Sequence, residues 1–74
     1  MKEFIERLKA LRKDIDWENC QDLVTGRHIA SFDIIQIIAL IKDEYGIKVP
    51  INEIKPQNFD SAEAMYEMIE KLDE

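Results

Sequence analysis

The stretch SFDIIQIIALIKDEYG, residues 31–46, decides the fold. Its apolar side chains, Phe32, Ile34, Ile35, Ile37, Ile38, Ala39, Leu40 and Ile41, surround most of a helix when laid out at about 100° per residue. The β-branched content would also suit a buried strand, but strands rarely run this far. Ser31 is a good helix N-cap and Gly46 a natural C-terminal stop, so the spacing predicts a central helix from Ser31 to Tyr45. On that helix Asp33, Gln36 and Glu44 are expected to mark the solvent side. Leu40 falls within the polar stripe, where an apolar residue ringed by polar ones suits partner docking.

Upstream, Phe4, Leu8, Leu11 and Ile15 recur at helical spacing with Lys2, Glu6, Lys9 and Lys13 opposite them. Glu3 is placed to pair with Arg7, completing an amphipathic first helix. Between the two helices, Trp17, Leu23, Val24 and Ile29 are scattered without a period and Gly26 offers a turn. This reads as a long connection pinned to the core by those residues. Downstream, Pro50 and Pro56 forbid a long helix, and Pro56 suits the first residue of a single short one. Ile47, Val49, Ile51, Ile54 and Phe59 are expected to cover the core there. Asp60 and Glu63 stand in capping-box spacing ahead of Met65, Met68, Ile69 and Leu72, which share one face of a last helix. The expected fold is therefore all-α, one domain over residues 1–74, with three main helices, one short helix and a long loop between helices 1 and 2.

Composition narrows the function. The chain has 74 residues, 46% of them hydrophobic and 35% charged, enough apolar content for a packed core but little room for a deep enzyme cleft. Sixteen acidic against ten basic side chains give a net charge of -6, which disfavours nucleic acid and suits a protein partner with a basic docking face. The lone Cys20 cannot form an internal disulfide, and no stretch is apolar for long enough to serve as a signal peptide or a membrane span. A soluble, unprocessed, cytoplasmic monomer is expected.

Catalytic constellations are sparse. His28 and Cys20 lack, in sequence, the spaced partners of a zinc site or a nucleophilic pair, so surface and packing roles are expected for them. The carboxylate pairs Asp43 with Glu44 and Asp73 with Glu74 belong on solvated faces. Calcium-loop and glycine-rich phosphate motifs are missing. No enzymatic activity is expected of the chain by itself.

The segment GRHIASFDIIQIIALIKDEYGIKVP resembles acyl carrier proteins, from their modified serine through the second helix to a following G-I-x-[IV]-P loop. Ser31, Phe32, Asp33, the apolar run, Asp43, Glu44, Tyr45, Gly46, Ile47, Val49 and Pro50 match in register. The segment EIKPQNFDSAEAMYEMIE is similar to the third and fourth helices of stand-alone carriers. The resemblance implies that Ser31 carries 4′-phosphopantetheine, whose thiol holds acyl or aminoacyl groups as thioesters. The implied partners are a phosphopantetheinyl transferase and the acyl- or aminoacyl-loading and acyl-processing enzymes of a fatty-acid, polyketide or related pathway. It also implies docking through Phe32, Asp33, Gln36, Leu40, Asp43 and Glu44, and an acyl groove among Phe32, Ile35, Ile38, Val49, Ile54 and Met65. Ala30 stands where the family's D-S-[LF] motif has aspartate. The alternative expectation is an interaction module of the same shape that is never modified.

Overall fold

The computed structural model describes residues 2–73; Glu74 lies outside them. The elements are α1 (Lys2–Leu11), α2 (Ser31–Tyr45), a 3-10 turn (Ile51–Glu53), α3 (Pro56–Phe59) and α4 (Ala62–Leu72), all helical, with no strand among the described residues. Three main helices and one short one therefore form as the spacing predicts. Pro56 opens α3, where its missing N–H costs no helical bond. Gly46 ends α2 in the left-handed conformation (φ 68°) and returns its N–H to the Lys42 carbonyl.

The core joins Phe4 and Leu8 of α1, Ile37 and Ile41 of α2, and Ala62, Met65, Met68 and Ile69 of α4, with Phe59 beneath them. Phe4 meets Tyr45 edge to face and also lies against Tyr66, tying α1 to both α2 and α4. Burying each large side chain of this set contributes about 1.5–3 kcal/mol.

Helix α1 stops at Leu11, a turn before the periodicity of Phe4, Leu8, Leu11 and Ile15 would end it. Two side chains account for the early stop. The Trp17 indole N–H donates to the Arg12 carbonyl (2.9 Å), and the Arg12 guanidinium closes on Asp14, so that local bonds replace the next helical turn. Ile15 then packs against the core from the loop, half-buried.

The connection over residues 12–30 buries Trp17, Leu23 and Ile29, as expected of its apolar residues. It is held by Asp60, which takes a role other than the expected helix cap. The Asp60 carboxylate accepts the N–H groups of Val24 (3.0 Å) and Thr25 (2.9 Å), and its carbonyl accepts that of Leu23 (2.9 Å). Capping of α4 falls instead to Ser61, whose hydroxyl accepts the Ala64 N–H (3.0 Å). Gly26 allows the tightest part of the loop, since a Cβ there would collide with the Asp22 carboxylate and carbonyl. A further correction concerns Ile51 and Ile54, which are exposed rather than covering the core. The 3-10 turn points Glu53 inward instead, and Asn58 donates to its carboxylate and carbonyl.

Asp60→Ala is expected to cost about 1–3 kcal/mol by orphaning the amides of Val24 and Thr25. Ser61→Ala should cost about 1 kcal/mol as a lost cap, and Glu63→Ala should stay within about 0.5 kcal/mol. Urea denaturation of the three variants checks the order; a Glu63 effect as large as that of Ser61 would restore the capping box at Asp60 and Glu63.

Candidate functional site

The start of α2 is assembled by contacts from three parts of the chain. Ala30, in extended conformation, is the N-cap, and its carbonyl accepts the Ile34 N–H (3.1 Å). Ser31 is therefore the first helical residue rather than the cap. The register shifts because the Asp33 carboxylate folds back onto the Ala30 N–H (2.9 Å), forming half of a capping box to which alanine can offer no reciprocal acceptor. The consequence is that the exposed Ser31 hydroxyl is not used to cap the helix.

Arg12 holds this arrangement in place. Its guanidinium contacts the Asp33 carboxylate (3.0 Å), the His28 carbonyl (3.3 Å) and Asp14 (2.6 Å), joining the end of α1, the end of the loop and the first turn of α2. The Asp14 bond is the main reason that the guanidinium is pushed above its usual range, and the same bond holds the Asp14 carboxyl below its own. Asp33, its side chain only 16% exposed, also places negative charge in the first turn, where the helix dipole favours it. Sequence reasoning missed Arg12. Its partner in α2 is 21 residues away, beyond any local pattern.

Of the residues expected on the solvent stripe of α2, Glu44 is exposed, whereas Asp33 and Gln36 are half-buried. Glu44 pairs with Arg7 and Asp33 with Arg12, while Gln36 and Leu40 are half-buried and line an open groove with Ala10 and Leu11. Ion pairs with Arg7 of α1 and with Arg12, just after it, engage Glu44 and Asp33 where solvent alone was expected. The face open to solvent is the adjacent one, carrying Ser31, Phe32, Ile35, Ala39, Lys42 and Asp43. Phe32 is 68% and Ile35 63% exposed.

The remaining residues implied to form a groove are divided. Val49 and Met65 belong to the core, Ile38 is half-buried against it, and Ile54 is exposed. Ile51, at 87% exposure, is the most exposed of the large apolar side chains, outside the set that the sequence suggested.

A second cluster lies in the loop ahead of α2. The Cys20 thiol donates to the Asp22 carboxylate at 3.2 Å, and His28 Nε2 lies 3.5 Å from the same Asp22 oxygen. Burial pushes the thiol above its usual pKa, and the nearby charges of Asp22 and Asp16 add to the effect. The chain thus brings together two side chains whose sequence spacing suggested no partner.

Compared with known proteins, the chain matches no family model, no curated protein and no solved structure.

Leu40→Ala is expected to cost about 1–2 kcal/mol, below the range for a full core leucine because the residue is half-buried. Ile35→Ala should change stability by no more than about 0.5 kcal/mol. Ala30→Ser should stabilise by about 1 kcal/mol through completion of the capping box. Thermal and urea melts check all three, and equal losses at Leu40 and Ile35 would contradict the orientation of α2.

Proposed function

We propose that this chain is a carrier domain of the acyl-carrier type, with Ser31 as the attachment point for 4′-phosphopantetheine. The observation that carries the reading is an exposed hydroxyl at the first position of the longest helix, beside two exposed apolar side chains, in a segment that resembles the modified region of that family. Attachment forms a bond between Ser31 Oγ and the pantetheine phosphorus of coenzyme A. The pyrophosphate bond breaks, adenosine 3′,5′-bisphosphate leaves, and the hydroxyl proton passes to a base of the transferase or to solvent. The resulting phosphodiester is suited to the first turn of α2, where the amides of Ser31, Phe32 and Asp33 lack intrahelical acceptors and the dipole favours negative charge.

In this reading the chain presents a thioester and leaves the chemistry to its partners. Phe32, Ile35 and Asp43 on the open face meet the transferase and the acyl- or aminoacyl-processing enzymes. Asp33 orders the first turn through Ala30 and Arg12, while Gln36, Leu40 and Glu44 border that face along the groove with α1. The flexible arm moves between partners, and a start of α2 stitched by Arg12 holds its root.

One observation favours a second reading. Ala30 supplies no carboxylate beside the serine, so the same exposed Phe32 and Ile35 would also serve an interaction module that is never modified.

Incubation with coenzyme A, magnesium and a permissive phosphopantetheinyl transferase should add the mass of one phosphopantetheine to the chain and none to Ser31→Ala. Ala30→Asp should accelerate the addition by restoring the anion next to the attachment point. No gain in either the parent chain or Ala30→Asp would leave the unmodified module as the reading, and a gain retained in Ser31→Ala would overturn the assignment.

A further inference from the structure

We propose that Cys20, Asp22 and His28 form a site for a Zn²⁺ ion in the loop between α1 and α2. Their ligand atoms, one sulfur, one oxygen and one nitrogen, all lie within 4.8 Å of one another. Zinc bonds to thiolate, carboxylate and imidazole place neighbouring ligand atoms about 3.3–3.6 Å apart in a tetrahedron. The Sγ to Oδ1 separation of 3.2 Å and the Nε2 to Oδ1 separation of 3.5 Å already approach those edges. The third pair, Cys20 Sγ and the His28 nitrogen, lies within 4.8 Å, so seating one ion among the three atoms requires these two side chains to close by about 1 Å at most.

The ligands converge because of how the loop is tied. Gly26 N–H returns to the Asp22 carbonyl, Arg27 N–H to that of Val24, and the Leu23 carbonyl accepts both His28 and Ile29. Arg27 takes the left-handed conformation (φ 61°), uncommon for a residue with a side chain, and this reversal brings His28 back over Asp22. Leu23 and Ile29, both buried, fix the two sides of the turn to the core.

The donor set also selects the metal. A thiolate with an imidazole and one carboxylate matches a borderline-soft ion such as Zn²⁺, whereas Mg²⁺ and Ca²⁺ require oxygen ligands. On binding, the Cys20 S–H bond breaks, a sulfur–zinc bond forms, and the proton leaves to the buffer. The net charge of -6 favours approach of a cation. Three protein ligands leave a fourth coordination position for water or an added ligand.

The proposal is tested on the full chain with Zn²⁺ in competition with a chromophoric chelator, and with Co²⁺ as a spectroscopic substitute. One ion should bind per chain, raise the melting temperature and, as Co²⁺, show a thiolate charge-transfer band with the visible bands of a tetrahedral centre. Cys20→Ser should abolish the charge-transfer band. His28→Gln, at an exposed position outside the core, should keep the fold and weaken Zn²⁺ by roughly 10-fold or more, with Asp22→Asn acting in the same direction. Millimolar Mg²⁺ should fail to displace the ion. Binding unchanged in His28→Gln, a Co²⁺ spectrum without the thiolate band, or equal competition by Mg²⁺ would each overturn the assignment.

Discussion

The structure depends on closing the connection between α1 and α2, which has no regular helix of its own and yet must bring the start of α2 onto the core. Closure entropy rises only slowly with loop length, so the harder requirement is to satisfy backbone amides drawn inward with Trp17, Leu23 and Ile29. Asp60 meets that requirement. One residue accepts three consecutive loop amides, from Leu23 to Thr25, through its carbonyl and carboxylate, and it precedes the cap of α4. The loop and the last helix are thereby positioned by the same few atoms.

Arg12 does for the far end of the loop what Asp60 does for its middle. It joins the residue after α1 to the His28 carbonyl and to Asp33, and Asp33 in turn holds the Ala30 amide. Helix α2 therefore begins at a site defined from outside the helix. Its core-facing side needs only Ile37 and Ile41 at full burial, and the surplus of apolar residues places Phe32 and Ile35 in solvent next to Ser31. An exposed apolar pair beside an uncommitted hydroxyl is a surface suited to meeting other proteins.

The loop has a second consequence. The turn that carries the chain from Leu23 to Ile29 also superimposes His28 on Asp22 and Cys20, so the ligand cluster and the presentation of Ser31 rest on one closed conformation. An ion bound there would tighten the segment leading into α2 without touching the serine itself.

What the sequence by itself determined was the helical class and the order of elements. Periodicity in α1 and α4, the length of the run from Ser31 to Tyr45, Pro56 at a helix start and Gly46 at a helix end are local signals, each set by backbone geometry within a few residues. Burial of Trp17, Leu23 and Ile29 was legible for a similar reason, since large apolar residues in a loop have few other places to go. The tertiary structure alone decided which side of α2 faces solvent. With apolar residues around most of that helix, the pattern has little preferred direction; full burial of Ile37 and Ile41 sets its rotation, and the ion pairs from Arg7 and Arg12 flank that buried side. The same holds for Asp60 against Ser61 at the start of α4, for Ser31 inside rather than ahead of α2, and for Cys20, Asp22 and His28. Each depends on a partner brought near by chain reversal or by packing between elements, and such proximity leaves no periodic trace along the chain.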